Sequence, residues 1–262
     1  MQTVYGSHSA IAPFRLKRPS RIADAAAALA GGAVCLAGGV DLVPALRAGR
    51  RVDEIVSLCG IGELKAIERR DGVLRVGAGV TYAQLAADRA IAGALPDLAA
   101  VWRGVANVRV RHAATIGGNL MAANPLYDML PALMALDATL VFAGADGRQQ
   151  AVPASAERWP ADLLAFIDIP LVPEGRFRFE RGFKPVISVA VAAAGGRVRA
   201  AFGCAFERPL VRTFAPGDAE ALAAAIADAL PEPVSDWIAG GAYRRKLARV
   251  LLARQLQSLG RP

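Results

Sequence analysis

With 262 residues, 54% of them hydrophobic, the chain has enough apolar material for a substantial core and room for one large domain or two ordinary ones. No run of about 18 apolar residues occurs, so no membrane span is expected; "MQTVYGSHSAIAPFRLKRPS" puts its basic residues after a weak apolar stretch, the reverse of a secretory signal, which makes the cytoplasm the expected compartment. Lys and Arg outnumber Asp and Glu by 31 to 23, a formal +8, but the arginines are scattered and aromatic residues make up only 6%, which excludes a nucleic-acid stacking surface.

In chain order, "RIADAAAALAGG" predicts a short helix stopped by glycines and "AVCLAGG" a buried strand running into a turn. "VDLVPALRAGR" predicts a second helix, with Asp41 near its start and Gly49 past its end. "DEIVSL", "LKAIERRDGVLRVGAGV" and "ATLVFAGADGRQQAV" alternate like strands and carry Asp-Gly turns at 71–72 and 146–147, which points to antiparallel hairpins. Helices near "TYAQLAADRA" and "LPDLAAVWRGV" interrupt them. After Pro170 the texture changes to strands "GRFRFERGF", "VISVAVAAAGG" and "RVRAAFGCAF", followed by helices over "DAEALAAAIADAL" and "SDWIAGGAYRRKLARVLLARQLQ". A domain boundary is expected at about 165–175.

The three cysteines, Cys35, Cys59 and Cys204, are far apart in apolar surroundings and read as buried thiols. With only His8 and His112 besides, no zinc or iron-sulfur ligand set can be assembled. "VGAGVTY" opens like a dinucleotide fingerprint, but Tyr82 stands at the third glycine and the stretch lies among hairpins. Neither a P-loop nor a nucleophile elbow occurs, so the chain carries no evident acid-base machinery of its own.

Two glycine loops remain, "AGGVDL" at 37–42 and "TIGGNL" at 115–120. Facing each other, their main-chain amides could clamp a diphosphate; taken singly, each is an ordinary tight turn. Gly118 in particular is expected to need positive φ.

The succession "AGGVDL", "VGAGVTYAQL", "RHAATIGGNLMAANPLYDMLPALMALDATLVF" and "GAYRRKLARVLLARQL" resembles the FAD-binding (medium) subunit of the molybdenum hydroxylases, the xanthine dehydrogenase and carbon monoxide dehydrogenase family. The resemblance runs from about Phe14 to the C-terminal helix and implies an α+β fold. Its parts would be a PCMH-type (vanillyl-alcohol-oxidase-type) FAD-binding domain over 1–168, of two α+β subdomains at about 1–55 and 56–168, and a C-terminal domain of antiparallel sheet with helices over 169–262.

By the same resemblance, Ala37, Gly38, Gly39, Val40, Asp41 and Leu42 form the first flavin loop, and Thr115, Ile116, Gly117, Gly118 and Asn119 the second; Ala106 joins them. Asp128 matches the acid that bonds the adenosine ribose, the alternative being a cap for the helix "MLPALMAL". Ile167 or Phe166 matches the strand at the adenine end, the alternative being a core strand residue. Val40 stands where relatives often carry a polar residue, His112 where they carry Asn, and the basic residue after the adenine strand is Arg178, Arg181 or Lys184. The resemblance implies non-covalent FAD and a dimer of heterotrimers, with an iron-sulfur small subunit and a molybdenum-cofactor large subunit. A free-standing FAD-dependent oxidase or reductase of the same fold is the alternative.

Overall fold

A computed structural model describes residues 11–260 apart from 173–174 and 183–184; Lys184, one of the three basic candidates, lies outside the described residues. The chain begins with β1 (Arg15–Lys17), α1 (Ile22–Ala30), β2 (Val34–Leu36), α2 (Leu42–Arg47) and β3 (Glu54–Ser57). These strands form one sheet in the order β1-β3-β2, and both pairings are parallel. The antiparallel expectation for "DEIVSL" is therefore overturned. A parallel partner has to be reached by a crossover, which α1 and α2 supply, and β1 shows no apolar alternation that would have announced it.

The middle of the chain builds a five-stranded antiparallel sheet, ordered β4-β5-β8-β6-β7, from β4 (Ile67–Arg70), β5 (Val73–Gly77), β6 (Thr139–Ala143), β7 (Gln149–Pro153) and β8 (Leu163–Pro170). The turn between β4 and β5 is the predicted Asp71-Gly72 pair, both residues at positive φ (49° and 75°), the backbone a two-residue hairpin loop requires.

Between β5 and β6 run six short helices: α3 (Tyr82–Ala87), α4 (Arg89–Ala94), α5 (Pro96–Gly104), α6 (Val108–Ala113), α7 (Ile116–Met121) and α8 (Met129–Ala135). The single helix expected over "TYAQLAADRA" is broken at Asp88, whose carboxylate accepts from the Ile91 amide and starts α4. Thr81 and Gln84 close a capping box at the start of α3. Trp102, fully buried on α5, anchors the main core with Leu98, Ile116, Leu133 and Ile167.

The remainder forms a four-stranded antiparallel sheet, ordered β12-β11-β10-β9, from β9 (Arg176–Arg181), β10 (Ser188–Ala194), β11 (Arg197–Gly203) and β12 (Leu210–Phe214). Alternation gives this sheet two apolar faces. Val189, Val191, Ala200 and Phe202 pack towards α9 (Ala219–Asp228) and α10 (Gly241–Leu259), whereas Ala190 and Ala201 join the main core that includes α8. The last helix starts later than "SDWIAGG" suggests. Residues 235–240 form a turn in which Asp236 accepts from the Ile238 and Ala239 amides and, with both carboxylate oxygens, from Arg244 Nη2.

Candidate functional site

The two glycine loops meet. A Cβ on Gly38 would lie 1.8 Å from the Ala113 carbonyl oxygen and 3.1 Å from Ala114 Cα, so only glycine lets the first loop touch the chain entering the second. Gly39 sits at φ +71°, in the left-handed region. On the far side, a Cβ on Gly117 would lie 2.6 Å from Ala78 Cβ, and the Gly117 and Ile116 amides donate to the carbonyls of Ala78 and Val80 at 2.9 and 3.0 Å. The fingerprint-like "VGAGVTY" is thus a packing segment: a Cβ on Gly77 would fall 2.3 Å from the Leu64 carbonyl oxygen.

The loops differ in what they can offer an anion. Residues 116–121 are helical, and Gly118 is not at positive φ, contrary to expectation. The amides of Ile116, Gly117, Gly118 and Asn119 all have acceptors within the protein, Gly118 using Thr115 Oγ1 at 3.0 Å and Asn119 the Thr115 carbonyl at 3.0 Å. Among the described residues, the amides of Gly38, Gly39, Val40 and Asp41 donate to no protein acceptor. The candidate anion nest is therefore the first loop, with the second as its wall.

Asp128 occupies the N-cap position of α8 but makes no side-chain cap bond. Its carboxylate instead accepts from Arg181 Nη1 at 2.6 Å and faces Cys204 Sγ at 3.8 Å, which in turn lies 3.9 Å from Ser188 Oγ. Burial raises its pKa above the ordinary aspartate value, with Arg181 opposing the rise. The same burial, reinforced by the Asp128 charge, pushes the Cys204 thiol up to about 12, so it stays a neutral donor. Ser188 lies on β10 and Cys204 directly follows β11 of the C-terminal sheet, which approaches because residue 203 is glycine: a Cβ there would meet Pro131 Cγ at 2.7 Å.

Of the three basic candidates, Arg181 joins Asp128 and Arg178 is turned away, bound to Asp97 Oδ2 at 2.5 Å. Ile167 is fully buried in the main core, so its side chain lines no open surface, whereas half-buried Phe166 lies under the Arg75 guanidinium at 5.1 Å. Ala106 is exposed at φ +44°, and its carbonyl accepts from Arg111. His112 is exposed in the last turn of α6. Cys35 and Cys204 are partly and fully buried, but Cys59 is exposed, contrary to expectation, with its thiol donating to the Ala37 carbonyl at 3.4 Å.

Sequence reasoning missed Tyr127 and Tyr82. Tyr127 Oη donates to Asp41 Oδ1 at 2.6 Å, and Tyr82 Oη lies buried near Asp128, Tyr127 and Asp41. Tyr82 Oη and Asn119 Oδ1 have no hydrogen-bond partner among the described residues, although both atoms are buried. Orphaned buried polar atoms beside bare amides are what a polar ligand would satisfy. Cavities of about 820 and 560 Å³ lie elsewhere, the first against α1 and β1, the second between α4, α8 and the C-terminal sheet. We place the candidate site on the loops, where the bare amides and two of these orphaned atoms lie, rather than in those cavities; a third, Trp159 Nε1, is buried beside Phe142 and Arg208.

A donor-lined first loop, an ion-paired buried acid and unsatisfied polar atoms on an α+β scaffold make a candidate site for the diphosphate of a nucleotide. A family described as "FAD binding domain in molybdopterin dehydrogenase" matches residues 12–157, and the chain belongs to that family. The carbon monoxide dehydrogenase medium chain of Afipia carboxidovorans is 29% identical, covering 93% of this chain and 96% of that protein. A crystal structure of a Cu,Mo-CO dehydrogenase superposes with a TM-score of 0.82 at 27% identity, covering 92% of this chain and 95% of that one. Quinoline 2-oxidoreductase from Pseudomonas putida 86 gives 0.83 at 25%, covering 96% and 98%. The protein is an oxidoreductase flavoprotein of the FAD-binding α+β fold. Among the described residues no helix is long and apolar enough to cross a membrane.

Proposed function

We propose that this chain is the electron-transfer subunit of a cytoplasmic molybdenum hydroxylase complex, taking electrons from iron-sulfur clusters of a small partner subunit through FAD to an external acceptor. Substrate oxidation belongs to a large subunit with the molybdenum cofactor, and the assembly is a dimer of heterotrimers. The observation that carries this reading is the end-to-end likeness to a protein named as a medium chain, over 96% of its length. FAD supplies the redox chemistry when bound, and the chain supplies placement and electrostatics.

In this reading the bare amides of Gly38, Gly39, Val40 and Asp41 receive the diphosphate, with Ala37 and Leu42 framing the loop. Thr115 through Asn119 wall the other side, where a hydroxyl of FAD gives Asn119 Oδ1 the donor it lacks. Asp128 accepts from the ribose hydroxyls while Arg181 keeps it ionised. Ile167 contributes through the packing of β8 rather than by side-chain contact.

The test is to tag the chain in its native host, purify it gently and measure flavin, iron and molybdenum. One FAD per chain, released by denaturation, with both metals in co-purifying small and large chains, supports the reading. A chain that purifies alone with full flavin, rapid turnover and neither metal overturns it in favour of a free-standing oxidase.

A further inference from the structure

Asp41 is an anomaly in its loop. The four amides at 38–41 suit an anion, yet the loop carries a carboxylate of its own. That carboxylate stands at the N-cap position of α2 but accepts no cap bond. It is committed instead to the hydroxyl of Tyr127, 86 positions along the chain and 2.6 Å away. Burial and the Asp41 carboxylate push the Tyr127 phenol up to about 12, so the hydroxyl keeps its proton and remains a donor near neutral pH. Tyr127 directly precedes Asp128, which is itself fastened by Arg181. One hydrogen bond therefore links the loop of bare amides to the segment carrying the buried acid.

We propose that Tyr127 is a positioning residue for FAD, acting through Asp41: its hydroxyl holds the carboxylate off the diphosphate position and fixes the first loop against the Asp128 segment. The proposal rests on the assignment of these loops to FAD. A charge-assisted bond of this length is among the stronger kinds, and losing it both frees the loop and releases a negative charge beside the incoming diphosphate. Phenylalanine at 127 would keep the ring and its packing while removing only the donor.

The experiment measures FAD dissociation from the full chain after flavin removal and reconstitution, alongside thermal melting of the flavin-free protein. Tyr127→Phe is expected to weaken FAD binding on the order of ten-fold, with flavin-free melting unchanged. The loss should shrink at high salt, because the repulsion it exposes is screened. In an Asp41→Ala background, Tyr127→Phe should have no further effect. Normal FAD binding by Tyr127→Phe overturns the proposal. So does an equal ten-fold loss in the Asp41→Ala background, which would mean direct contact with the cofactor, and so does a melting point that falls in step with affinity. A wild-type chain that takes up no FAD overturns the loop assignment, and this inference with it.

Discussion

Gly38 and Gly118 look equivalent in the sequence, one in each Gly-Gly pair, but their surroundings differ. A Cβ at 38 would penetrate the Ala113 carbonyl, whereas one at 118 would come only to 3.0 Å from Thr115 Oγ1, a side-chain atom rather than backbone. Gly38→Ala should therefore force the loops apart, costing about 1–3 kcal/mol of stability and most of the FAD affinity. Gly118→Ala should keep both far better, and isothermal titration of paired variants checks the contrast. Asp128 gives a pH signature. Burial raises its pKa above the ordinary aspartate value, so the carboxylate we assign to the ribose hydroxyls is lost as pH falls through that raised value, earlier than for an exposed aspartate. FAD affinity should drop correspondingly on mild acidification. Arg181→Ala, which removes the charge opposing burial, should move the drop closer to neutral. For the flavin-free fold the sign reverses: a raised carboxylate contributes stability below its unfolded value and loses it as pH rises through the folded one. Flavin titrations across pH, with unfolding measured beside them, separate the two slopes.

At the scale of elements, the hairpins and the apolar strands of the larger sheets were legible, since Asp71-Gly72 states its turn type and β10 alternates between two cores. The parallel sheet was not, because β1 is a three-residue exposed strand without a pattern. Nor was the division of labour between the loops, which depends on where amides find acceptors. Glycine spacing marked both as candidates; only the bonds from Ile116, Gly117, Gly118 and Asn119 to protein acceptors show that the second is already satisfied. Hydrogen-deuterium exchange can read that difference. Adding FAD should slow exchange at residues 38–41 and leave 116–119 nearly unchanged; slowing confined to the second loop would refute it. Arg244 on α10 shows a second kind of illegibility, a charge in a core. It is fully buried, donates to the carbonyls of Val186 and Cys204, and is paired with Asp236. Arg244→Met would leave those carbonyls without their donor, at about 1–3 kcal/mol each, and should lower the melting temperature and loosen the turn at 235–240.

Across the whole molecule, the groups assigned to FAD come from all three sheets' surroundings. The bare amides follow β2 of the parallel sheet, Asp128 precedes α8 in the middle of the chain, and Arg181, its ion-pair partner, belongs to β9 of the C-terminal sheet. A ligand that binds such a junction stabilises every part that helps to form it. At a free FAD concentration of a hundred times its dissociation constant, linkage adds about 2.7 kcal/mol, which for a chain of this size shifts the midpoint by roughly 5–10 °C. Calorimetry of the full chain should show that shift as the movement of one transition, because α8 shares a core with both the middle sheet and the C-terminal sheet. Arg181→Ala should reduce the shift by weakening the acid's hold on the ribose, while leaving the transition single. An FAD-induced shift confined to one of two resolved transitions would show that the C-terminal sheet takes no part in the site, and would leave the Asp128–Arg181 pair as a structural contact only.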